Sequence, residues 1–465
     1  MNNKINTRRK IMMGVSCIFL VIEALIFMYT YLYNIVALTV NNEISLFVYF
    51  YIIIFYVLVN NRKIYNVGNI RLLDAFFGHI VINVGSGLLV AIGIFIAIKS
   101  PDELMLSTLF VTILIQIVFG SACSYILHQV YMAFVPKRRL LAVVGDYKTD
   151  TVLENKRYKN AYYIVSDVMY YYDGIDKIIE KSKDYDGILV GELEVQFRND
   201  LVRTCFNKNI QVFYMLKIAD VMVENARKYV IYDQIYFMNG NHGLSIGQKF
   251  VKRLMDIIVS GLLLLLLSPI CLIIMICIKL EDGGPIFYKQ QRLTINGKVF
   301  NILKFRSMKE NADNQEPAPT MQEDNRITKV GKIIRNLHFD EIPQLINVLK
   351  GDMSMVGPRP ERKLFTNIYS KEVKEFECRL KVKAGITGYA QVYGKYNTNA
   401  YDKLKLDLFY ILNYSLLMDI KLLILTIRIL FQRETVTGLE YDEYLEALKK
   451  VMDEKSEETD NQEES

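Results

Sequence analysis

The hydrophobic positions of the chain change their pattern along its length, and the N-terminal part carries long, uninterrupted apolar runs. These runs cover residues 11–32, 44–59, 76–98 and 104–126. Each is close to the length that a helix needs to cross a hydrocarbon layer of about 30 Å, the second being the shortest. The pattern therefore predicts a membrane protein whose residues 1–134 form a region of four transmembrane helices.

A different pattern begins near Arg139, where short apolar runs alternate with helical periodicity such as that of residues 174–181. Alternation of strand and helix favours a doubly wound parallel sheet. Residues 135–246 are accordingly predicted to form a Rossmann-like cytoplasmic α/β domain. The short runs, each typical of a buried strand, are residues 140–144, 162–165, 187–190 and 210–215.

The turn after the first of these strands bears on cofactor binding. Gly145 is not followed by the second and third glycines that let a backbone approach a pyrophosphate. We therefore interpret the domain as a packing or dimerisation module. Cofactor binding is the less favoured alternative, and it would involve Gly145, Asp146 and Asp167 first.

A fifth apolar run, residues 257–278, could cross the membrane by its length alone. Ser268 and Pro269 interrupt it, and a proline removes one hydrogen bond of a helix, whose freed carbonyl a serine hydroxyl can satisfy. Lysine and arginine flank both ends, which makes both ends cytoplasmic by the positive-inside rule. We therefore predict a re-entrant membrane helix over residues 251–281 that breaks at Ser268 and Pro269.

Charges beside the other runs set the expected orientation. Lysine and arginine precede the first run and follow the second and fourth, whereas residues 33–43 contain neither. The N-terminus and the chain after the fourth run are therefore predicted to be cytoplasmic. We expect a multi-pass protein of the cell membrane whose catalytic domain lies in the cytoplasm and contacts membrane lipid.

Composition narrows the class of protein. The 465 residues are 52% hydrophobic with a mean hydropathy of +0.17, which indicates a membrane part joined to soluble parts. A formal net charge of +6 suits anionic substrates and gives no reason to expect nucleic acid. The six cysteines form no CxxC pair, so neither zinc nor disulfides are expected. The first apolar run lacks a cleavage site, so no signal peptide is expected. The acidic residues 437–465 are expected to be partly disordered.

One stretch, residues 326–361, gathers the candidate chemistry. Asp340 and Glu341 are adjacent, Arg335 precedes them, and the rigid segment Gly357–Pro360 contains Arg359. Such an acid pair is most often a solvated helix face. Here, however, carboxylates that can hold Mg²⁺ stand beside arginine and lysine that can clamp phosphoryl oxygens.

The sequence around this stretch resembles the bacterial sugar transferase family, the monotopic polyprenyl-phosphate phosphoglycosyl transferases. The resemblance covers residues 248–432, and the N-terminal half resembles the family's larger members. Each motif is weak alone, but their order along the chain is specific. The motifs are Lys252-Arg253 with Asp256, Gly284–Phe287, Gln291-Arg292, Lys304–Met308, Gly385–Gly388 and Ala390–Val392.

The resemblance implies a mostly helical catalytic domain, residues 247–436, that contains the re-entrant helix. It implies transfer of a hexose 1-phosphate, glucose or galactose by family frequency, from a UDP-sugar to undecaprenyl phosphate with release of UMP, the first membrane step of capsule or exopolysaccharide synthesis. Asp340 would be the nucleophile that forms an aspartyl phosphosugar, and Glu341 would hold Mg²⁺. The phosphate-binding residues would be Lys304, Arg306, Arg335 and Arg359. Whether the chain forms a homo-oligomer is left open.

Two departures from the family pattern and two alternative functions stay open. His338-Phe339 precedes the acid pair where a small polar residue and leucine are usual, and Ala384 replaces a usual proline. The alanine is expected to loosen the turn before Gly385. The alternatives are a non-catalytic membrane scaffold and a nucleotide-sugar epimerase or dehydratase, and the second lacks the glycine fingerprint that it needs.

Overall fold

The structure, a computed structural model, describes residues 2–36, 44–68, 70–98, 103–145, 162–224, 226–238, 240, 243–309, 326–394 and 399–430. The predicted tail at 437–465 and Asp146 lie outside this part of the chain. The chain divides into two compact units, residues 1–215 and 216–465. Each unit is described by itself.

Apolar helices form the first part of unit 1, as the hydrophobic runs predict. Mean hydropathy and length are sufficient for a membrane crossing in Thr7–Leu32, Leu72–Gly93 and Leu106–Phe134, whereas the apolar segment Val48–Arg62 is shorter. The helices are α1 (Asn2–Phe27), continued by a π-helical segment (Met28–Val36), α2 (Ile44–Arg62), α3 (Leu72–Ile98) and α4 (Glu103–Phe134).

A buried polar network joins α1, α3 and α4. His79 Nδ1 lies 2.9 Å from Glu23 Oε1, and its Nε2 lies 2.8 Å from Ser124 Oγ. Asn83 Nδ2 donates to the same Glu23 oxygen, at 2.5 Å. Because unpaired polar groups are costly in an apolar bundle, these contacts fix which helix faces meet.

A parallel sheet forms the rest of unit 1, as the alternating pattern predicts. Its strands lie in the order β2-β1-β3-β4. Strand β2 extends past the predicted strand, so Asp167 lies within it, 2.6 Å from Lys181. The elements are β1 (Arg138–Val144), β2 (Tyr163–Tyr170), α5 (Ile175–Ser182), β3 (Gly187–Val190), α6 (Val195–Asn207) and β4 (Val212–Tyr214).

Unit 2 begins earlier than the sequence-based boundary at residue 247. Helix α7 packs into its core through Ile218 and Val221, and Leu244 joins the same core. A two-stranded hairpin, β5 and β6, follows α7. The elements to this point are α7 (Ile218–Glu224), β5 (Arg227–Ile231), β6 (Gln234–Met238) and α8 (Ile246–Asp282).

Helix α8 is the fourth helix, within the described residues, that is long and apolar enough to cross a membrane. The helix continues through Pro269 rather than stopping there. Proline cannot donate to the carbonyl of Leu265, and the Ser268 hydroxyl donates to that oxygen instead, at 2.8 Å. The serine compensation is as predicted, whereas the re-entrant course of the helix stays a prediction.

Both ends of α8 are docked onto the same core. Near its start, Lys252 pairs with Asp419 at 2.6 Å, and Asp256 accepts from the Met355 N–H at 2.9 Å. Near its end, Glu281 Oε1 accepts from the Lys329 N–H at 2.7 Å. Polar contacts at each end therefore anchor a helix whose middle is apolar.

Short strands and helices complete unit 2. Strand β8 carries Lys304 and pairs antiparallel with β7. The elements are β7 (Phe287–Leu293), β8 (Val299–Phe305), α9 (Lys329–Asn336), α10 (Gln344–Lys350), β9 (Ser354–Val356), α11 (Lys363–Glu372), β10 (Gly385–Thr387), α12 (Tyr389–Tyr393), α13 (Ala400–Leu412) and α14 (Leu416–Leu430).

Candidate active site

The acid pair lies on a tight turn between two helices. Helix α9 ends at Asn336, and His338 takes a left-handed conformation with φ of 56°. Residues Phe339–Glu341 form one 3-10 turn before α10 begins. Because side chains other than glycine rarely adopt positive φ, His338 marks a strained reversal of the chain. Arg335, on α9, and Asp340, on the 3-10 turn, therefore lie on separate elements.

Two cations converge on one carboxylate oxygen of the pair. Glu341 Oε1 accepts from Lys304 Nζ at 2.8 Å and from Arg359 Nη2 at 3.2 Å. Burial alone would raise the pKa of Glu341, but the charges of Lys304 and Arg359 outweigh it and hold that pKa well below its usual range. Glu341 is therefore ionised and holds both cations beside Asp340.

The side chain of Asn347 sets the distance between Lys304 and the acid pair. Its Oδ1 accepts from the Leu303 N–H at 2.9 Å, and its Nδ2 donates to the Asn301 carbonyl at 2.8 Å. The amide thereby bonds α10 to β8 as a neighbouring strand would. Sequence reasoning missed Asn347, since nothing local marks a contact that spans 44 residues.

Close backbone packing places Arg359. Strand β9 leads into Gly357, whose N–H donates to the Thr387 carbonyl at 2.8 Å, while the Gly385 N–H donates to the Pro358 carbonyl at 2.9 Å. A Cβ on Gly357 or Gly385 would collide with the opposite backbone. Glycine is required at both positions for this approach, and the two prolines beside Arg359 stiffen the turn further.

The Asp340 carboxylate differs from that of the adjacent Glu341 in its hydrogen bonds and ion pairs. Within the part of the chain that the structure describes, its carboxylate makes no hydrogen bond or ion pair. Burial raises its pKa, and the charge of Glu341 adds to this effect, against the opposing charges of Lys304 and Arg335. An unpaired carboxylate of raised basicity is the form that a nucleophile requires.

Arg335 supplies an uncommitted cation near Asp340. Its Nη1 is buried and has no hydrogen-bond partner among the described residues. Leaving a buried donor unpaired costs about 1–3 kcal/mol, so this position favours an anionic ligand that would accept from it. Arg359 offers a second accessible cation, since its side chain is 46% exposed.

The other predicted site residues lie elsewhere. Arg306 Nη2 pairs with Asp282 at the end of α8, and its Nη1 is packed against Gly284. Ser268 and Pro269 lie within α8. The structure thus brings together Asp340, Glu341, Lys304, Arg335 and Arg359, which we call the dyad cluster. A phosphate-binding role for Arg306 stays a prediction.

A second group of charges, which sequence reasoning missed, lies behind Arg359. The Nη2 of Arg379 donates to the Arg359 carbonyl at 3.0 Å and lies 2.8 Å from Asp407 Oδ2. Glu361 Oε1 pairs with Lys403 and lies 3.7 Å from Arg379 Nη1. We call these four residues, Glu361, Arg379, Lys403 and Asp407, the support cluster.

Ala384 does not leave its turn loose. The residue is buried, and its N–H donates to Thr294 Oγ1 at 3.2 Å, a bond that proline could not make. Its carbonyl accepts from the Ser354 N–H at 2.8 Å. The alanine therefore gains a hydrogen bond in place of the rigidity of proline.

The acidic side chains of the site suit Mg²⁺ only if substrate phosphates and water bind the ion together with them. No group of three or more His, Cys, Asp or Glu side chains suited to a metal occurs in the described residues. Mg²⁺ commonly binds through one or two carboxylates together with substrate phosphates and water. Glu341 and Asp340 could supply those carboxylates, Glu341 while one of its oxygens holds Lys304 and Arg359.

Comparison with known proteins identifies relatives of this chain. The sequence model of the bacterial sugar transferase family matches residues 247–433. The UDP-N-acetylgalactosamine-undecaprenyl-phosphate N-acetylgalactosaminephosphotransferase of Aeromonas hydrophila is 35% identical over 54% of this chain and 58% of its own. The UDP-glucose:undecaprenyl-phosphate glucose-1-phosphate transferase of Escherichia coli (strain K12) is 37% identical over 46% of this chain and 48% of its own.

Coverage of the relatives varies. The chain spans about half the length of the Aeromonas and Escherichia proteins. An uncharacterised sugar transferase of Bacillus subtilis (strain 168) is 40% identical over 38% of this chain, and the match covers 86% of that shorter protein. The segment matched by the family model contains every residue of the dyad cluster.

Proposed function

The chain belongs to the bacterial sugar transferase family, and from this we infer that it is a phosphoglycosyl transferase. It moves a hexose 1-phosphate from a UDP-sugar to undecaprenyl phosphate and releases UMP. The product is the first lipid-linked intermediate of a capsule or exopolysaccharide. The relatives named for such transfers to undecaprenyl phosphate support this assignment.

One observation carries the proposal: the Asp340 carboxylate, which has no partner among the described residues, stands among three cations. Lys304 and Arg359 are held by Glu341, and Arg335 has an unsatisfied donor. A solvated helix face would leave the carboxylates and cations exposed and separate. A group that attacks a diphosphate needs the opposite, a free nucleophile beside donors that stabilise the phosphoryl oxygens.

The reaction proceeds in two displacements. An Asp340 oxygen attacks the phosphorus nearer the sugar, its bond to the bridging oxygen breaks, and UMP leaves with that electron pair. An oxygen of undecaprenyl phosphate then attacks the same phosphorus, and the bond to Asp340 breaks. One phosphate site thus serves both substrates in turn, which predicts ping-pong kinetics.

The residues around Asp340 have separate roles in these steps. Arg335 and Arg359 bind the phosphoryl oxygens, and Lys304 neutralises charge near the leaving group. Glu341 keeps Lys304 and Arg359 in place and contributes a carboxylate to Mg²⁺. When bound, Mg²⁺ lowers the negative charge of the diphosphate.

We place the catalytic unit on the cytoplasmic side, where nucleotide sugars are made, with α8 entering and leaving the same face of the membrane. The docking of both ends of α8 onto one core supports this course. Single cysteines at Lys249 and at Leu280, which is 80% exposed, test it. In a background free of native cysteines, both should react with an impermeant thiol reagent only after cells are opened. Labelling of Leu280→Cys in intact cells would mean a full crossing.

The substrate is identified by one assay. Full-length protein in lipid particles is supplied with undecaprenyl phosphate, Mg²⁺ and, in turn, UDP-glucose, UDP-galactose and UDP-N-acetylgalactosamine, and UMP is measured. We expect release with at least one hexose donor and none without the lipid beyond a single turnover. Absence of release with every donor would favour the scaffold alternative.

A further inference from the structure

Near the start of α8, two cationic side chains approach one point of unit 2. Gly351, which ends α10 in a left-handed conformation with φ of 92°, leaves the space between them open. A Cβ at this position would lie 3.5 Å from Nη2 of Arg253 and 3.5 Å from Nζ of Lys383. The two nitrogens are therefore at most twice that distance apart. Like charges at such a separation repel each other unless an anion lies beside both.

Arg253 is fixed in place by the backbone, whereas Lys383 has no partner. The Arg253 guanidinium donates to the carbonyls of Val348 and Leu349, at 2.6 and 2.7 Å, and its other N–H donors remain available. Lys383 is half-buried, and its ammonium makes no hydrogen bond or ion pair with any residue that the structure describes. Burial lowers the pKa of Lys383, and the charge of Arg253 adds to this effect. An anion bound beside both side chains would compensate their charges.

The two carboxylates near Lys383 do not fill this role. Asp256 and Asp352 both oppose the lowering of its pKa, so both lie close to it. Asp256, however, accepts from the Ser354 hydroxyl at 3.0 Å and from the Met355 N–H at 2.9 Å. Asp352 forms no ion pair with Lys383 among the residues that the structure describes. The position therefore suits an anion from outside the chain.

The neighbouring surface of α8 indicates which anion. Exposed apolar side chains follow one another at helical spacing here, and they continue into the segment that is apolar enough to cross a membrane. These side chains, which we call the α8 stripe, are Ile246, Phe250, Leu254 and Ile257. Arg253 is three positions after one of them and four before another, so it borders the stripe. A lipid whose chains lie on the stripe has its phosphate beside Arg253, and phosphate accepts strong hydrogen bonds from arginine and lysine.

We propose that Arg253 and Lys383 together bind the phosphate of an anionic phospholipid of the bilayer, whose acyl chains lie on the α8 stripe. The bound lipid holds the start of α8 at the depth of the headgroups, where an anionic surface attracts basic side chains. Gly351 lies just after α10, whereas Asp340 and Glu341 lie just before it. The lipid site is therefore separate from the dyad cluster and does not depend on the proposed reaction.

Titration of full-length protein in detergent with phosphatidylglycerol, followed by native mass spectrometry, tests the site. The most tightly bound lipid should bind Lys383→Met about 5-fold more weakly than wild type, the effect of removing one cation that faces an anionic lipid. Lys383→Arg should bind it as wild type does, because the charge is kept. Lys381→Met is the matched control, since Lys381 is exposed two residues away, and it should also bind as wild type. Equal binding by Lys383→Met and wild type overturns the proposal.

Two further measurements identify the lipid and avoid dependence on the folding of one variant. In nanodiscs, the unfolding temperature of wild type should rise when phosphatidylglycerol replaces phosphatidylcholine, and that of Lys383→Met should rise less, because a ligand stabilises only the protein that binds it. The same rise in both proteins contradicts the site. Undecaprenyl phosphate also carries a phosphate, so it is added to wild type in an amount equal to the bound phosphatidylglycerol. Retention of phosphatidylglycerol supports the proposal, and its complete displacement would assign the site to the acceptor lipid instead.

Discussion

The dyad cluster and the support cluster contain the same types of side chain, yet they differ in how their charges are paired. In the support cluster, Arg379 faces both Asp407 and Glu361, and Lys403 faces Glu361. In the dyad cluster, Glu341 pairs with two cations, while Asp340 and Arg335 have no oppositely charged partner among the described residues.

The paired cluster is therefore suited to stabilising the fold, and the unpaired cluster is suited to binding a ligand. Charges that are paired with each other stabilise the fold around them, and removing one partner exposes the other to an uncompensated burial cost. Charges left unpaired cost stability until a ligand meets them. The Arg379 donation to the Arg359 carbonyl joins the two clusters, so the paired one fixes the position of a cation in the unpaired one.

The largest effect is expected at Asp340, the proposed nucleophile. Asp340→Asn should lower UMP release by at least about 10⁴-fold, because the amide keeps the shape of the carboxylate but does not attack phosphorus. Its thermal unfolding should change little, since Asp340 makes no ion pair with any residue that the structure describes. Asp200→Asn, which removes a surface partner of Arg203, serves as the control and should leave release unchanged. Wild-type turnover in Asp340→Asn would remove Asp340 from catalysis.

Arg335 and Arg379 give the sharpest contrast between the clusters. Arg335→Met should lower kcat/KM by about 10²–10³-fold, the cost of losing one donor to a developing oxyanion, without lowering the unfolding temperature. Arg379→Met should lower the free energy of unfolding by about 3–5 kcal/mol, because it leaves the buried Asp407 without its partner. Kinetics and calorimetry on both variants check this. The contrast fails if Arg335→Met destabilises as much as Arg379→Met.

Glu361 makes the stability of the support cluster dependent on pH. Burial opposes its ionisation, but Lys403 and Arg379 outweigh burial and lower its pKa to about 2. A lowered carboxylate pKa stabilises the fold above the ordinary pKa of 4.5 and loses that effect as the pH falls towards about 2. Glu361→Gln should therefore unfold more easily than wild type at pH 7, and the difference should shrink in acid. A constant difference from pH 7 to pH 2 would contradict this.

Much of the architecture follows from the local hydrophobic pattern, because burial of a helix or strand gives its apolar residues a characteristic spacing. The apolar helices and the strand β3, at its predicted residues, come from such runs. The parallel sheet follows from the alternation of short apolar runs with helical periodicity. Lys304, Glu341 and Arg359 were also predicted as site residues, and the structure brings them within hydrogen-bond distance.

The remainder depends on contacts between distant residues or on unusual backbone. Nothing in a histidine signals the left-handed conformation of His338, for which glycine or asparagine would be the usual marker. The link from Asn347 to β8 and the burial of Arg379 arise only in three dimensions. The start of unit 2 at Leu216 depends likewise on the packing of α7.

The smallest effect is expected at Glu341, the proposed ligand of Mg²⁺. Glu341→Gln should raise the Mg²⁺ concentration for half-maximal UMP release by about 10-fold, because a neutral amide is a poorer ligand for a hard cation. The maximal rate should also fall, since Lys304 and Arg359 lose the charge that holds them. Titration with Mg²⁺ measures both quantities. Unchanged metal dependence with a lowered rate would assign Glu341 to the cations alone.

The central claim is that Asp340 carries the sugar phosphate covalently. The direct measurement incubates full-length protein with a UDP-sugar radiolabelled in the sugar, without undecaprenyl phosphate, and counts label on denatured protein. Wild type should retain up to one label per chain and release it when undecaprenyl phosphate is added, while Asp340→Asn should retain none. Equal labelling of both proteins, or an unlabelled wild type that still transfers sugar phosphate to the lipid, would contradict the account.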